Sequence, residues 1–167
     1  MQNVGRTFLV LLALAVSIPA WADLAGKVVG VADGNTITIQ DANKQLHKIR
    51  LAGIAAPKRG QPFGFRSKEY LAKWVYDREV FVEGEKIDRD GSMVGNVFVD
   101  GHDAGLEQVR AGLAWWDRAN AHEQTAEERE VYELAEKEAR KGKLRLWRDT
   151  DPVPPWEWQR STRSPKD

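Results

Sequence analysis

Aspartates in tight turns, nearby cations and an adjacent pair of tryptophans are the side chains of this chain whose chemistry goes beyond packing. Asp33, Asp88 and Asp90 lie in glycine-containing turns. Their carboxylates would offer oxygens to a hard cation if the fold gathers those loops; such residues also simply shape turns and face water. Trp115 and Trp116 offer rings on which nucleobases stack, or apolar mass for the core. His47, His102 and His122 have no mutual spacing that a metal would need, and read as surface residues. Cysteine is absent, which excludes disulfides, thiolate zinc sites, a cysteine nucleophile and lipidated cysteine. The charged stretch from Glu127 to Lys143 mixes signs and reads as a solvated helix face, although Arg140, Lys141 and Lys143 at its end would favour a polyanion.

These groups sit in a chain of 167 residues with 25 basic and 25 acidic side chains, 42% hydrophobic and 30% charged. That is the balance of one globular domain. Zero net charge argues against a strong nonspecific grip on phosphate backbones, though not against a local basic patch. Residues 1–22 are set apart as a signal peptide: Arg6 precedes the apolar run of residues 8–16, and Ala20-Trp21-Ala22 has the small-x-small form of a cleavage site. The apolar run is shorter than the roughly 20 residues that span a bilayer, so no integral anchor is expected once the leader is removed. The leader holds one arginine and no acid, leaving 24 basic against 25 acidic groups. The protein is thus expected to be exported, to the periplasm of a Gram-negative host or otherwise to the exterior.

The elements that must position the candidate groups follow from periodicity. Residues 28–31 and 36–40 read as strands around an Asp33-Gly34-Asn35 hairpin turn. A third strand is expected over 46–54, with Ile49 and Leu51 on one face, and further strands around Val80, Val82, Val97 and Val99. Residues 63–78 change to helical spacing through Phe63, Tyr70, Leu71, Trp74 and Val75. Leu106, Val109 and Leu113 mark a short second helix. Thr125-x-x-Glu128 forms a capping box before a third, with Val131, Leu134, Ala135 and Ala139 as its apolar stripe and Gly142 as its stop. Prolines 152, 154 and 155 argue against regular helix in the tail, where Trp156 and Trp158 would pin the chain to the body. The expected class is α+β: a five-stranded OB-fold barrel packed by about three helices over residues 23–150, followed by a Pro/Trp-containing tail over 151–167.

Several motifs in fixed order carry a resemblance: Ala32-Asp33-Gly34-Asn35-Thr36, the run from Lys48 to Pro57, Gly60-Gln61-Pro62-Phe63-Gly64, Asp88-Arg89-Asp90-Gly91-Ser92, Leu144-Arg145-Leu146-Trp147 and Pro154-Pro155-Trp156-Glu157-Trp158. In these the chain resembles the staphylococcal-nuclease-like (thermonuclease) family, in its exported bacterial branch, over about residues 25–158. The resemblance implies an OB barrel and calcium-dependent hydrolysis of DNA and RNA phosphodiesters. It also implies where function should sit. The family's first motif reads Asp-Gly-Asp-Thr, and its second aspartate, a calcium ligand, falls on Asn35. In the second motif the phosphate-clamping arginine matches Arg50, the metal-binding aspartate falls on Ala55, a backbone ligand position falls on Ala56, and the proposed general base falls on Lys58. The arginine that ends the third motif falls on Ser92, with Asp90 where the family has tyrosine. The family also places aromatics near the nucleotide, which makes Trp116 a candidate contact.

Over the five charged positions the family pattern sums to −1, whereas Arg50 and Lys58 leave +2 here. Asn in place of Asp keeps an oxygen without its charge; Ala keeps neither. An ammonium about 5 Å from a bound ion, at an effective dielectric of about 20, repels it by roughly 3 kcal/mol per unit charge. It also holds a proton where a base must accept one. Loss of one preorganised phosphate donor commonly costs ~3 kcal/mol of barrier. The expected protein is therefore an impaired or non-catalytic homologue with no bound cofactor, keeping weak contact with single-stranded nucleic acid or a phosphorylated ligand through Arg50, Lys58, Arg59 and Trp116. Two alternatives stand beside it. One is an active nuclease that uses Ca2+ or another divalent ion through Asp33, Asn35 and the Asp88/Asp90 turn; the other is an envelope protein-interaction module with an unknown protein partner.

Overall fold

The computed structural model describes residues 24–163; the leader and its cleavage site lie outside them. Strand β1 (Leu24–Asp33) turns through Gly34 and Asn35 into β2 (Thr36–Gln40), with Asp33 opposite Thr36. Asp33 Oδ1 accepts from the Asn35 N–H at 3.0 Å, the local bond that makes aspartate a turn former. A side chain at Gly34 is impossible: an added Cβ would lie 1.9 Å from Ser67 Oγ. Strand β3 (Leu46–Leu51) continues the meander. Ala52 and Gly53, the latter at φ 67°, then break the expected 46–54 strand and set off a short β4 (Ile54–Ala55).

Strand β5 (Glu79–Ile87) pairs with β1 and with β6 (Met93–Val99), and β6 runs parallel to β3, Arg50 opposite Val94. That last pairing closes the five long strands into the expected barrel. Its interior is filled by Val28, Ile37, Ile39, Ile49, Leu51, Val82 and Val97, each at most 1% exposed. Two small pairings are added: β7 (His102–Asp103) on β6, and β8 (Trp115–Trp116) antiparallel to β4.

Among the described residues, four helices cover the barrel. Helix α1 (Gly64–Val75) buries Gly64, Ser67, Leu71 and Val75, so small residues share the face that was expected to be lined by Phe63, Tyr70 and Trp74. Helix α2 (Ala104–Arg110) is capped by Asp103, and Leu113 falls after its end. The capping box of α3 (Ala126–Lys141) forms as expected, but its inner face does not follow hydropathy. Tyr132, Ala135, Glu136 and Ala139 are buried, while Val131 and Leu134 are exposed. The polar members have partners inside: Tyr132 donates to Asp103 Oδ2 at 2.6 Å, and Glu136 accepts from the Trp116 N–H at 3.2 Å and from Arg118 at 2.7 Å. The tail also departs from expectation, because residues 155–163 form α4 (Pro155–Arg163). Pro155 occupies the first helical position, where its missing N–H is no loss, and Glu157 in the first turn suits the positive end of the helix.

One buried amide fastens the first hairpin to the helices. Gln108 Nε2, on α2, donates to Gly34 O at 2.6 Å and to Ser67 O at 3.0 Å. Gln108→Leu keeps the volume and strands two buried carbonyls, a cost of about 2 kcal/mol. A lowered urea midpoint with an unchanged slope would record it.

Candidate functional site

The first hairpin turn, the end of β3, the loop after β4 and the β5–β6 turn meet at one rim of the barrel. They wall a cleft of about 610 Å³ together with a short 3₁₀ segment (Arg118–Glu123) and α4. Of the residues singled out in the sequence, Asn35, Arg50, Ala55, Lys58 and Asp90 line it. Asp33 stands behind Lys58. Ser92 is buried in the β5–β6 turn, its N–H given to Asp88 Oδ1 at 2.9 Å. Arg59 is exposed outside the cleft walls. Trp116 is buried in the β4–β8 ribbon, its indole N–H donated to Gln124 Oε1 at 2.9 Å and one ring face covered by Arg118 at 4.3 Å.

The cations of this cleft are not unopposed, which corrects the expectation of a bare +2. Arg50 donates from Nη2 to Glu123 Oε1 at 2.8 Å and from Nε to Asp88 Oδ2 at 3.3 Å. Lys86 reaches the same Glu123 oxygen at 2.9 Å. Lys58 Nζ lies 3.4 Å from Asp33 Oδ2, a long pair that is a third exposed on the lysine side. Burial pushes the Glu123 carboxyl up, but Lys86 and Arg50 outweigh it and hold it below its ordinary value. Burial also opposes ionisation of Asp88, where the backbone N–H groups of Ser92 and Asp90, with Arg50, prevail and lower it. Glu123 carried no signal in the sequence: it lies 73 residues from Arg50 and belongs to no periodic face.

Asn35 is fixed rather than poised. Its Nδ2 donates to Ile54 O at 3.2 Å and its carbonyl accepts from the Leu51 N–H at 2.9 Å. Its Oδ1, like Glu123 Oε2, is buried without a hydrogen-bond partner. The Lys58 loop is fastened through Gln61, which accepts from the Lys58 N–H at 2.9 Å and donates to Val153 O at 2.7 Å. The tail thus holds the loop that carries Lys58. It also supplies Pro155, Trp156 and Gln159 to the cleft wall, a contribution that the proline-based expectation missed.

Comparison with known proteins places this geometry. The family model described as "Staphylococcal nuclease homologue" matches residues 48–149. The chain is 38% identical over 160 residues to a protein named micrococcal nuclease from Shigella flexneri, covering 90% of this chain and 89% of that one. It is 35% identical over 171 residues to Protein ParB of Escherichia coli, covering 97% and 94%. An uncharacterized endonuclease of Escherichia coli O157:H7 is 39% identical over 140 residues, covering 83% and 86%.

The ion-pair cluster makes an acid-sensitive contribution to stability. A depressed folded-state carboxyl stabilises above its unfolded value and loses that contribution as pH falls through the folded value. Glu123→Gln should therefore cost about 2 kcal/mol near neutral pH, and the gap to the parent should narrow as unfolding is repeated down to about pH 3. A gap constant with pH would show that Glu123 acts only by shape.

Proposed function

Because the chain belongs to the staphylococcal nuclease homologue family, we propose that it is a member whose cleft does not carry out the family's calcium-dependent hydrolysis and instead holds the phosphates of single-stranded nucleic acid weakly. The observation that carries this reading is Lys58 on the cleft wall beside Ala55, its ammonium 3.4 Å from Asp33. The calcium that the family implies does not fit this donor set. Asn35 turns an N–H toward Ile54 O, Ala55 brings no side-chain oxygen, and a cation stands where a carboxylate would take a proton from water. No step is routed through calcium here. What the cleft keeps is cationic hydrogen-bond donors in a concave wall: Arg50, Lys58 and Lys86, with Arg89 on the same rim. A phosphate diester entering it meets donors whose charge Glu123, Asp88 and Asp33 already offset, so affinity is low and salt-sensitive.

A second reading has one observation in its favour. Asn35 Oδ1 and Glu123 Oε2 line the same cleft and lack hydrogen-bond partners, and Asp88 and Asp90 stand on the same wall. A divalent ion held by such oxygens would make the protein a nuclease with a rebuilt site. We further propose that residues 1–22 direct export and are removed after Ala22; among the described residues no helix is long and apolar enough to cross a membrane.

Protein beginning at Asp23, incubated with single-stranded DNA and calcium, magnesium or manganese, should give no cleavage that a chelator abolishes. Chelator-sensitive cleavage would establish the second reading instead. The triple variant Asn35→Asp, Ala55→Asp, Lys58→Glu should bind calcium in a calorimetric titration where the parent shows no heat, and its hydrolysis should rise by about tenfold or more. A folded triple variant with neither property would contradict the assignment of these positions.

A further inference from the structure

Beyond the cleft, the tail encloses a second concavity against the body. It measures about 410 Å³ and is walled by Trp115, Trp116, Trp147 and Trp156 with the guanidiniums of Arg118 and Arg140. Arg140 lies 3.8 Å above the Trp147 ring and Arg118 lies 4.3 Å above Trp116. Both arginines reach down to one carboxylate, Glu136, at 3.5 and 2.7 Å. Asp117 and Asp151 stand on the rim. The hollow shares Trp156 and Asp117 with the cleft on one side. On the other it shares Arg140, Trp147, Thr150 and Pro152 with a groove of about 250 Å³. Lys143 and Arg148 face that groove, against Asp149 alone. Three concavities are therefore joined end to end by common walls.

Two features of the far groove lack an internal explanation. Lys143 and Arg148 make no side-chain hydrogen bond or ion pair among the described residues. Trp147, 6% exposed, has a buried indole N–H with no acceptor. A buried donor without a partner costs free energy comparable to a lost hydrogen bond. The chemistry that would pair with the two cations is an anionic oxygen entering the groove that they line. Aromatic walls leading to that point add stacking surface, above all Trp156, which is 44% exposed at the junction with the cleft. Rings interleaved with cations along a groove are the means by which single-stranded nucleic acid is held without sequence readout.

We propose that the groove beyond Trp156 is a second subsite for single-stranded nucleic acid, in which a base stacks on Trp156 and the next phosphates pass to Arg140, Lys143 and Arg148. The inference rests on the reading of the cleft as a phosphate-holding site, since the strand continues from there. It gives a role to the basic end of α3, which the cleft leaves unused.

The test measures anisotropy of labelled oligothymidylates of about 3 and about 12 nucleotides on the protein, on Lys143→Gln/Arg148→Gln and on Lys58→Gln. The double variant should bind the long oligomer about tenfold more weakly, with a salt slope reduced by about 1.4 for two lost phosphate contacts. The short oligomer, filling the cleft alone, should bind as to the parent, and Lys58→Gln should weaken both. The Trp147 indole resonance, assigned with Trp147→Phe, should move on addition of the long oligomer. Unchanged long-oligomer affinity and salt slope in the double variant, with Lys58→Gln still weakening both oligomers, would overturn the second subsite and leave the cleft reading standing. Failure of the parent to bind either oligomer would overturn both.

Discussion

Strand β3 lies parallel to β6 because four antiparallel pairings lead from one to the other through β2, β1 and β5, and the register sets Arg50 opposite Val94. Arg50 is consequently fixed at the seam where the sheet closes. Its guanidinium then becomes the point on which the rim is assembled, since Asp88 arrives from the β5–β6 turn and Glu123 from the 3₁₀ segment after β8. Remove that cation and two carboxylates, one of them 3% exposed at its side chain, face each other with Lys86 as the remaining close counter-charge. A partly buried acid without its partner is costly, so the rim depends on Arg50 for its shape as well as for any hold on phosphate.

The two demands on Arg50 compete. As a structural ion it must stay with Glu123 and Asp88; in the role proposed for the cleft it would also have to turn donors toward a phosphate. A guanidinium carries five N–H donors in a fork, and the pairs here use Nε and one side of Nη2. Donors remain for a ligand without dissolving the rim, but the local potential they act in is nearly balanced. This resolves the apparent conflict between a neutral chain and a cationic site. Neutrality is approached at the scale of the cleft, where Arg50, Lys58 and Lys86 each keep an acid close by, so any attraction to a polyanion would rest on short-range donor geometry more than on a field extending into solvent.

What could be read from the sequence was what is local. The 33–35 turn and the α3 capping box are each decided within a few residues and formed as expected, as did the strand periodicities apart from the break at Ala52 and Gly53. The family motifs fixed the positions of Asn35, Arg50, Ala55 and Lys58 on one rim because a shared fold carries them there. The counter-charges escaped notice for the opposite reason: Asp88 and Glu123 meet Arg50 from 38 and 73 residues away. On α3, hydropathy chose Val131 and Leu134 for the inside, whereas the protein buries Tyr132 and Glu136. Burial of polar groups is cheap only when partners wait, and Asp103, the Trp116 N–H and Arg118 are supplied by other elements.

The tail shows how one proline can be read two ways. Three prolines within four residues forbid helix through their own positions, yet the last of them opens α4 at no cost. Once that helix exists, Trp156 comes to rest edge-on against Trp115, whose neighbour Trp147 it extends into a row. The same segment gives Val153 O to Gln61, and Gln61 holds the backbone of Lys58. Mechanical connection therefore runs from α4 to Lys58. Loosening the tail would free the Lys58 loop and open the wall between cleft and tryptophan hollow in one motion, because a single residue, Trp156, belongs to both. The tail thus lends Trp156 to both concavities and the Val153 carbonyl to the tether of the Lys58 loop.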